Sequence, residues 1–252
     1  MVEVSVITVV KDDASGLVAT HSSLFNQVLN NWEMIIVVGS SQDGTLTVAR
    51  ELEVVDHRVR VVEQKDSGIY RAMNNGIDLA NGKFTWFMNA GDRFFSPMVL
   101  SHAVNQISIE PVNIVVGGYQ VFDGSSGKTY SFSEKHITWR DFAFTRRGGC
   151  HQAMIFRTQI LKEHGGFNTS YSLASDFDLV LRILDVSPGK RVSEVYASIE
   201  PGGRADKGIS LVHKEKHQIR QDLLKGPIIL SLSLLWTGLA RIKIAFRQTL
   251  QH

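Results

Sequence analysis

Cysteine is almost missing from this chain: Cys150 is the only one in 252 residues. One thiol can close no intrachain disulfide and build no thiolate cage for a metal, which fits a reducing compartment. Proline is scarce too, with five in all, and the 21 glycines are ordinary usage, so collagen-like and disordered chains are excluded. The longest uncharged stretch near the end, residues 226–240, has 15 residues where a bilayer span needs about 20. The first ten residues include Glu3 and run straight into Lys11, without the basic start and small-residue cleavage site of a secretory signal. A cytoplasmic location is expected.

Apolar residues make up 43% of the chain, enough for a full core, and the length suits one α/β domain with an appendage. The net charge of +2 is unevenly placed. Residues 204–252 hold nine Lys/Arg and three Asp/Glu, whereas the rest hold 18 and 22. An acidic body with a basic tail suggests that the tail faces something anionic.

Residues 4–10, 32–38 and 84–88 are near-continuous apolar runs of the kind covered on both faces in parallel sheets, and 58–62 reads as a further strand. Helical spacing separates them: Leu17, Leu24, Val28 and Leu29; residues 45–52; then Ile69, Met73, Ile77 and Ala80, stopped by Asn81-Gly82. This alternation predicts a doubly wound α/β sheet. Beyond residue 92 the pattern is less regular. Strands are expected over 112–118, 119–122 and 152–156, and a helix over 176–184, all able to extend the same sheet into a mixed one. The expected layout is a domain over 1–224, in halves 1–92 and 93–224, followed by a C-terminal segment 225–252.

In open α/β sheets ligands sit beyond the carboxyl ends of the strands. The four loops there carry Asp12-Asp13, Asp43, Asp66 and Asp92. Carboxylates converging on an anionic ligand would repel it unless a divalent cation stands between them. The plainer reading is that such aspartates cap helices, and Asp43, just before Gly44-Thr45, favours it. Competing motifs fail on spacing. The first turn reads Lys11-Asp12-Asp13-Ala14 rather than G-x-G-x-x-G, Phe122 stands where a Walker A loop ending in Gly127-Lys128-Thr129 needs glycine, and Lys128 breaks a nucleophile elbow.

The ordered set Thr8-Val9, 32–37, Ser41-Gln42-Asp43-Gly44-Thr45, Asp66-Ser67-Gly68-Ile69-Tyr70, Ala72-Met73-Asn74-Asn75-Gly76, Met88-Asn89-Ala90-Gly91-Asp92, His151-Gln152-Ala153, Gly165-Gly166-Phe167, Ser175-Asp176-Phe177 and Lys207-Gly208-Ile209-Ser210 resembles the family 2 glycosyltransferases of GT-A fold. It looks closest to the bacterial branch that builds exopolysaccharides of the colanic-acid kind, over about residues 3–224. The resemblance implies an inverting transfer of sugar from a nucleotide-diphosphate donor, a UDP- or GDP-sugar, to a lipid-linked saccharide or polysaccharide acceptor. Asp176 matches the catalytic base, with Asp178 as rival or acceptor contact. Asp92 matches the acid that holds Mg2+ or Mn2+ on the diphosphate. Donor contacts are implied for Thr8, Val9, Asp66, Gly68, Asn74, Asn89, Asp92, Lys207 and Ser210, the last two on a loop that folds over the donor. Departures from the pattern are Val38, where relatives carry a base- or ribose-contacting acid, together with Asn89, Gly91 and Arg71. His151 is a candidate acceptor or diphosphate contact, or a structural histidine at a strand entrance. A relative that binds nucleotide sugar without catalysis is the first alternative. A sugar nucleotidyltransferase is the second, disfavoured by the lack of a glycine-rich first loop. Nucleic acid is not an expected partner.

In the tail, Ile228, Leu232, Leu235, Leu239, Ile242, Phe246 and Leu250 form one helical stripe, bordered by Lys225, Arg241, Lys243 and Arg247 with Trp236 beside it. Such a basic amphipathic helix suits peripheral contact with an anionic membrane, here the inner face of the cytoplasmic membrane. Packing on protein is the alternative.

Overall fold

The computed structural model describes residues 2–65, 68–122, 127–144, 149–203 and 208–223. The tail beyond 224, with its amphipathic stripe, lies outside them, as do Asp66 and Lys207. The first half alternates as the apolar runs predict: β1 (Val4–Val10), α1 (Ala14–Phe25), β2 (Trp32–Gly39), α2 (Thr45–Val55), β3 (Val59–Gln64), α3 (Ile69–Leu79) and β4 (Phe84–Phe87). These strands are parallel and lie in the order β3-β2-β1-β4. The order reverses beside β1, so loops leave β1 and β4 toward opposite faces and a crevice opens at their carboxyl ends.

Side chains alternate across the sheet with period two. Ile7, Val9, Ile35 and Val37 join one core with Met73 and Ile77, while Val6, Val10, Met34, Ile36 and Val38 join the other with Leu17, Leu24 and Ala49. β1, β2 and β4 are therefore apolar on both faces because each face is roofed by helices, whereas the edge strand β3 carries Arg60 and Glu63 beside its valines. Asp13 opens α1, its carboxylate accepting the Gly16 N–H at 2.9 Å. Asp43 lies one residue before Gly44, the N-cap of α2, and accepts from the Thr45 N–H at 3.1 Å and hydroxyl at 2.5 Å. Asp13 fulfils the plainer expectation of a helix cap, whereas Asp43 braces the turn before α2 without being its N-cap.

The second half is β5 (Arg93–Phe94), α4 (Val99–Ile109), β6 (Ile114–Phe122), β7 (Gly127–Tyr130), β8 (Lys135–Ile137), α5 (Trp139–Phe144), a 3-10 turn (His151–Ala153), β9 (Met154–Arg157), α6 (Thr158–Glu163), α7 (Ser175–Val186), β10 (Gly189–Ile199) and α8 (Ile209–Leu223). β9 runs antiparallel between β4 and β6, and β10 runs parallel to β6, so one mixed sheet continues through the molecule.

Several expectations are corrected. The first helix stops at Phe25 rather than continuing through Val28 and Leu29, because Gln27 turns away. Its amide donates to Ser96 O at 2.8 Å and accepts from the Leu100 N–H at 3.0 Å, which caps α4 from another part of the chain. The two strands expected over 112–122 are the single β6. Ser210, expected on a loop, lies in the first turn of α8.

Candidate active site

A cleft of about 640 Å³ lies beyond the carboxyl ends of β1 and β4, and its lining includes Asn89, Asp92, His151 and Asp176. The turn carrying Asn89 and Asp92 follows β4 directly. Thr20, fully buried on α1, pins it by donating its hydroxyl to Asp92 O at 2.7 Å and Asn89 O at 3.2 Å. Gly91 takes φ +91, a backbone conformation that favours glycine, so the turn depends on it.

Asp92 is only 6% exposed. Gln152 Nε2 donates to its Oδ2 at 2.8 Å, and the Glu200 N–H to its Oδ1 at 3.2 Å. Burial outweighs these bonds and pushes the carboxyl up to about 6. Neighbouring Asn89 Oδ1 is buried with no hydrogen-bond partner among the described residues. Asp92 and Asn89 thus line one cleft with oxygen donors, the donor type that Mg2+ or Mn2+ selects. Among the described residues no three His, Cys, Asp or Glu side chains gather into a protein-only cage. A cation here would complete its shell from diphosphate oxygens and water, as Mg2+ does in phosphate sites.

Asp176, lining the same cleft, lies in the first turn of α7, where the helix dipole favours negative charge. Its Oδ1 accepts the Phe177 N–H at 2.8 Å, and its Oδ2 lies 3.4 Å from His151 Nδ1. Burial pushes this carboxyl up, but the His151 hydrogen bond and charge, with Lys216, reverse the sign and hold it below its ordinary value. His151 Nε2 is 3.3 Å from Asn89 Nδ2. With that amide donating, the ring proton resides on Nδ1 and faces Asp176. Asn89, His151 and Asp176 therefore form one chain across the cleft, and the two carboxylates sit in environments that drive their proton affinities apart. Cys150 lines the same cleft, but burial pushes its thiol well above its ordinary value, so it is a poor nucleophile.

Other predicted residues lie elsewhere. Asp178 does not line the cleft: it is 3% exposed and pairs with Arg182 at 2.8 Å, because two positions along a helix turn it about 200° from Asp176. Asn74 accepts the Phe167 N–H at 2.8 Å and donates to Phe167 O at 2.9 Å, so its amide clamps the 165–167 turn. Thr8 and Val9 are buried in β1 beneath the helical layers. Gly68 borders a cavity of about 150 Å³ that shares Ile69, Tyr70 and Ser172 with the larger cleft. Ser210 is exposed on α8. Thr20, Gln152 and Glu200 were missed. Gln152 belongs to the His151-Gln152-Ala153 motif, but no local pattern marks Thr20 or Glu200.

The family model described as Glycosyl transferase family 2 matches residues 5–165. The chain is 28% identical over 180 residues to the PGL/p-HBAD biosynthesis glycosyltransferase of Mycobacterium bovis (strain BCG / Pasteur 1173P2), covering 71% of this chain and 68% of that relative. It is similar in structure to S. aureus TarS 1-349 in complex with UDP-GlcNAc, with TM-score 0.72 and 17% identity, over 92% of this chain and 71% of that one. It is also similar to mannosyltransferase PcManGT from Pyrobaculum calidifontis in complex with GDP-Man and Mn2+, with TM-score 0.66 and 18% identity, over 96% and 75%. The shared architecture is the GT-A fold.

Proposed function

The chain belongs to glycosyl transferase family 2, and from that membership we propose that it is a divalent-metal-dependent, inverting glycosyltransferase. It moves a sugar from a nucleotide-diphosphate donor to an acceptor hydroxyl in cell-surface polysaccharide or glycolipid assembly, in the exopolysaccharide-building branch its motifs resemble. The observation that carries this reading is one cleft lined by both Asp92 and Asp176, with His151 bridging Asn89 and Asp176.

Attack on the anomeric carbon needs the acceptor hydroxyl deprotonated as it reacts, and a carboxylate within about 3 Å can take that proton. Asp176 is the base. Its lowered proton affinity keeps it ionised at neutral pH, and the His151 Nδ1–H aims one of its oxygens. The proton passes from the hydroxyl to Asp176, the new glycosidic bond forms opposite the breaking bond to the diphosphate, and no enzyme-bound sugar intervenes. Asp92 and Asn89 would hold the cation, which offsets the negative charge growing on the leaving diphosphate. UDP- and GDP-sugars are the donor classes, and a lipid-linked saccharide is the acceptor class. The basic tail brings the protein to the anionic cytoplasmic face where such an acceptor resides.

Calorimetry with UDP, GDP, TDP and CDP, each with and without Mn2+, tests the reading. Metal-dependent binding of one nucleotide supports it and names the donor class. Binding without turnover of the matching sugars would favour a catalytically silent relative. No binding to any nucleotide overturns the transferase reading in favour of a degenerate relative, with Val38, buried at the end of β2, the first place to look.

A further inference from the structure

Glu215, on α8, is buried, with 9% of its surface exposed. Its carboxylate accepts three consecutive backbone N–H groups of a segment 41 to 43 positions earlier: Ser172 at 2.8 Å, Leu173 at 2.9 Å and Ala174 at 2.8 Å. Three successive amides converging on one anion form a backbone nest, and charge-assisted bonds of this length are roughly twice as strong as neutral ones.

The position of that nest gives it a role. Ser172 and Leu173 line the catalytic cleft, and Ala174 is the residue from which α7 starts, two before Asp176. The Asp178 N–H closes the first helical bond onto Ala174 O at 3.2 Å. One carboxylate therefore sets both the cleft wall and the point from which the base projects. The rest of α8 keeps Glu215 in register: Ile219 is fully buried in the core, Arg220 Nε donates to Ala143 O at 2.9 Å, and the Tyr171 hydroxyl donates to Asp222 at 3.0 Å.

We propose that Glu215 is a positioning residue for glycosyl transfer, holding the 172–174 nest so that Asp176 and the acceptor-side wall keep their places in the cleft. This rests on the transferase reading and deepens it. Glu215 touches no reacting atom. Its effect passes through the backbone.

The test pairs a kinetic split with a measurement on the unmodified protein. In Glu215→Gln one amide hydrogen is turned toward backbone N–H groups that need an acceptor, so the nest loosens while side-chain volume is kept. The expected result is a kcat about tenfold lower or more, an acceptor KM raised several-fold and a donor KM within about twofold, because the turn carrying Asn89 and Asp92 is pinned by Thr20 and Gln152 rather than by the nest. A purely structural role would lower the folded fraction and leave the kcat of folded molecules and the KM ratio unchanged; that result, or equal loss on donor and acceptor sides, overturns the proposal. If Glu215→Gln does not fold, hydrogen exchange of the wild-type protein decides. The amides of 172–174 should exchange as slowly as those inside α7, and fast exchange overturns the brace. Absence of wild-type transfer from every nucleotide sugar would sink the transferase reading separately, since the exchange measurement needs no turnover.

Discussion

His151 Nδ1 lies 3.4 Å from Asp176 Oδ2, joining a 3-10 turn ahead of β9 to the first turn of α7. This contact converts a half-exposed carboxylate into an aimed one. It also links Asp176 through Asn89 to the turn that carries Asp92.

Replacing Asp176 by Asn should lower transfer by about 10²-fold or more, as expected for loss of a general base, with donor binding within a few-fold. Steady-state assays beside nucleotide calorimetry check both halves. Near-normal turnover would mean that another group takes the proton, and His151 would be examined next.

Removing the His151 partner should move the pH profile. Asp176 is held below its ordinary value chiefly by the His151 bond working against burial. In His151→Gln the carboxyl should therefore protonate at higher pH, and the acid limb of kcat/KM should shift upward. The sign is fixed, because a base with depressed proton affinity is active above its own value and lost as pH falls through it. A limb that stays in place would show that His151 does not govern Asp176.

Asp92 carries the opposite shift, with a stability consequence. Its folded value of about 6 lies above the ordinary 3.8, so the folded state binds this proton more tightly than the unfolded chain. The group's stabilising effect is complete below about pH 4 and is lost as pH rises through about 6, and ionisation above that costs on the order of 3 kcal/mol. Asp92→Asn should raise Tm by several degrees at about pH 8 and by little near about pH 4. The same variant should lose metal-dependent nucleotide binding. Thermal melts across pH read the first effect, and an unchanged Tm at the higher pH would contradict it.

Asp178 belongs to the framework. Arg182 pairs with it at 2.8 Å and also donates to the carbonyls of His164 and Gly166. Arg182→Ala leaves a buried carboxylate unpaired and two carbonyls stranded, at a cost of about 3–5 kcal/mol. Denaturant melts should show that loss, while kcat per folded molecule stays within about twofold. A large fall in kcat at normal stability would place Asp178 in the chemistry after all.

Removing residues 226–252 should weaken binding to anionic vesicles, since each basic residue near such a surface contributes about 1 kcal/mol. Co-sedimentation with anionic and neutral vesicles measures this. Unchanged binding, or a truncated protein that no longer folds, would assign the tail to packing on protein.

Local pattern determined the parallel half of the fold. β1, β2 and β4 are apolar on both faces, and the residues between the strands repeat at helical spacing, information held within about ten neighbours. Asp92, His151 and Asp176 were also visible, because each sits in a short motif at a strand end or helix start. Tertiary structure alone decided how they act. The two groups holding Asp92, Gln152 and the Glu200 N–H, are 60 and 108 positions away. Glu215 reaches its nest across more than 40 positions, and Asn74 finds Phe167 across 93. Asp176 and Asp178 share a residue type and stand two apart, yet one faces the cleft and the other an arginine, because a helix turns about 100° per residue and the packing chooses which side is open. Residue type and spacing announce which groups are capable of chemistry. Burial and long-range hydrogen bonds, which exist only once the sheet has assembled, set their proton affinities and directions.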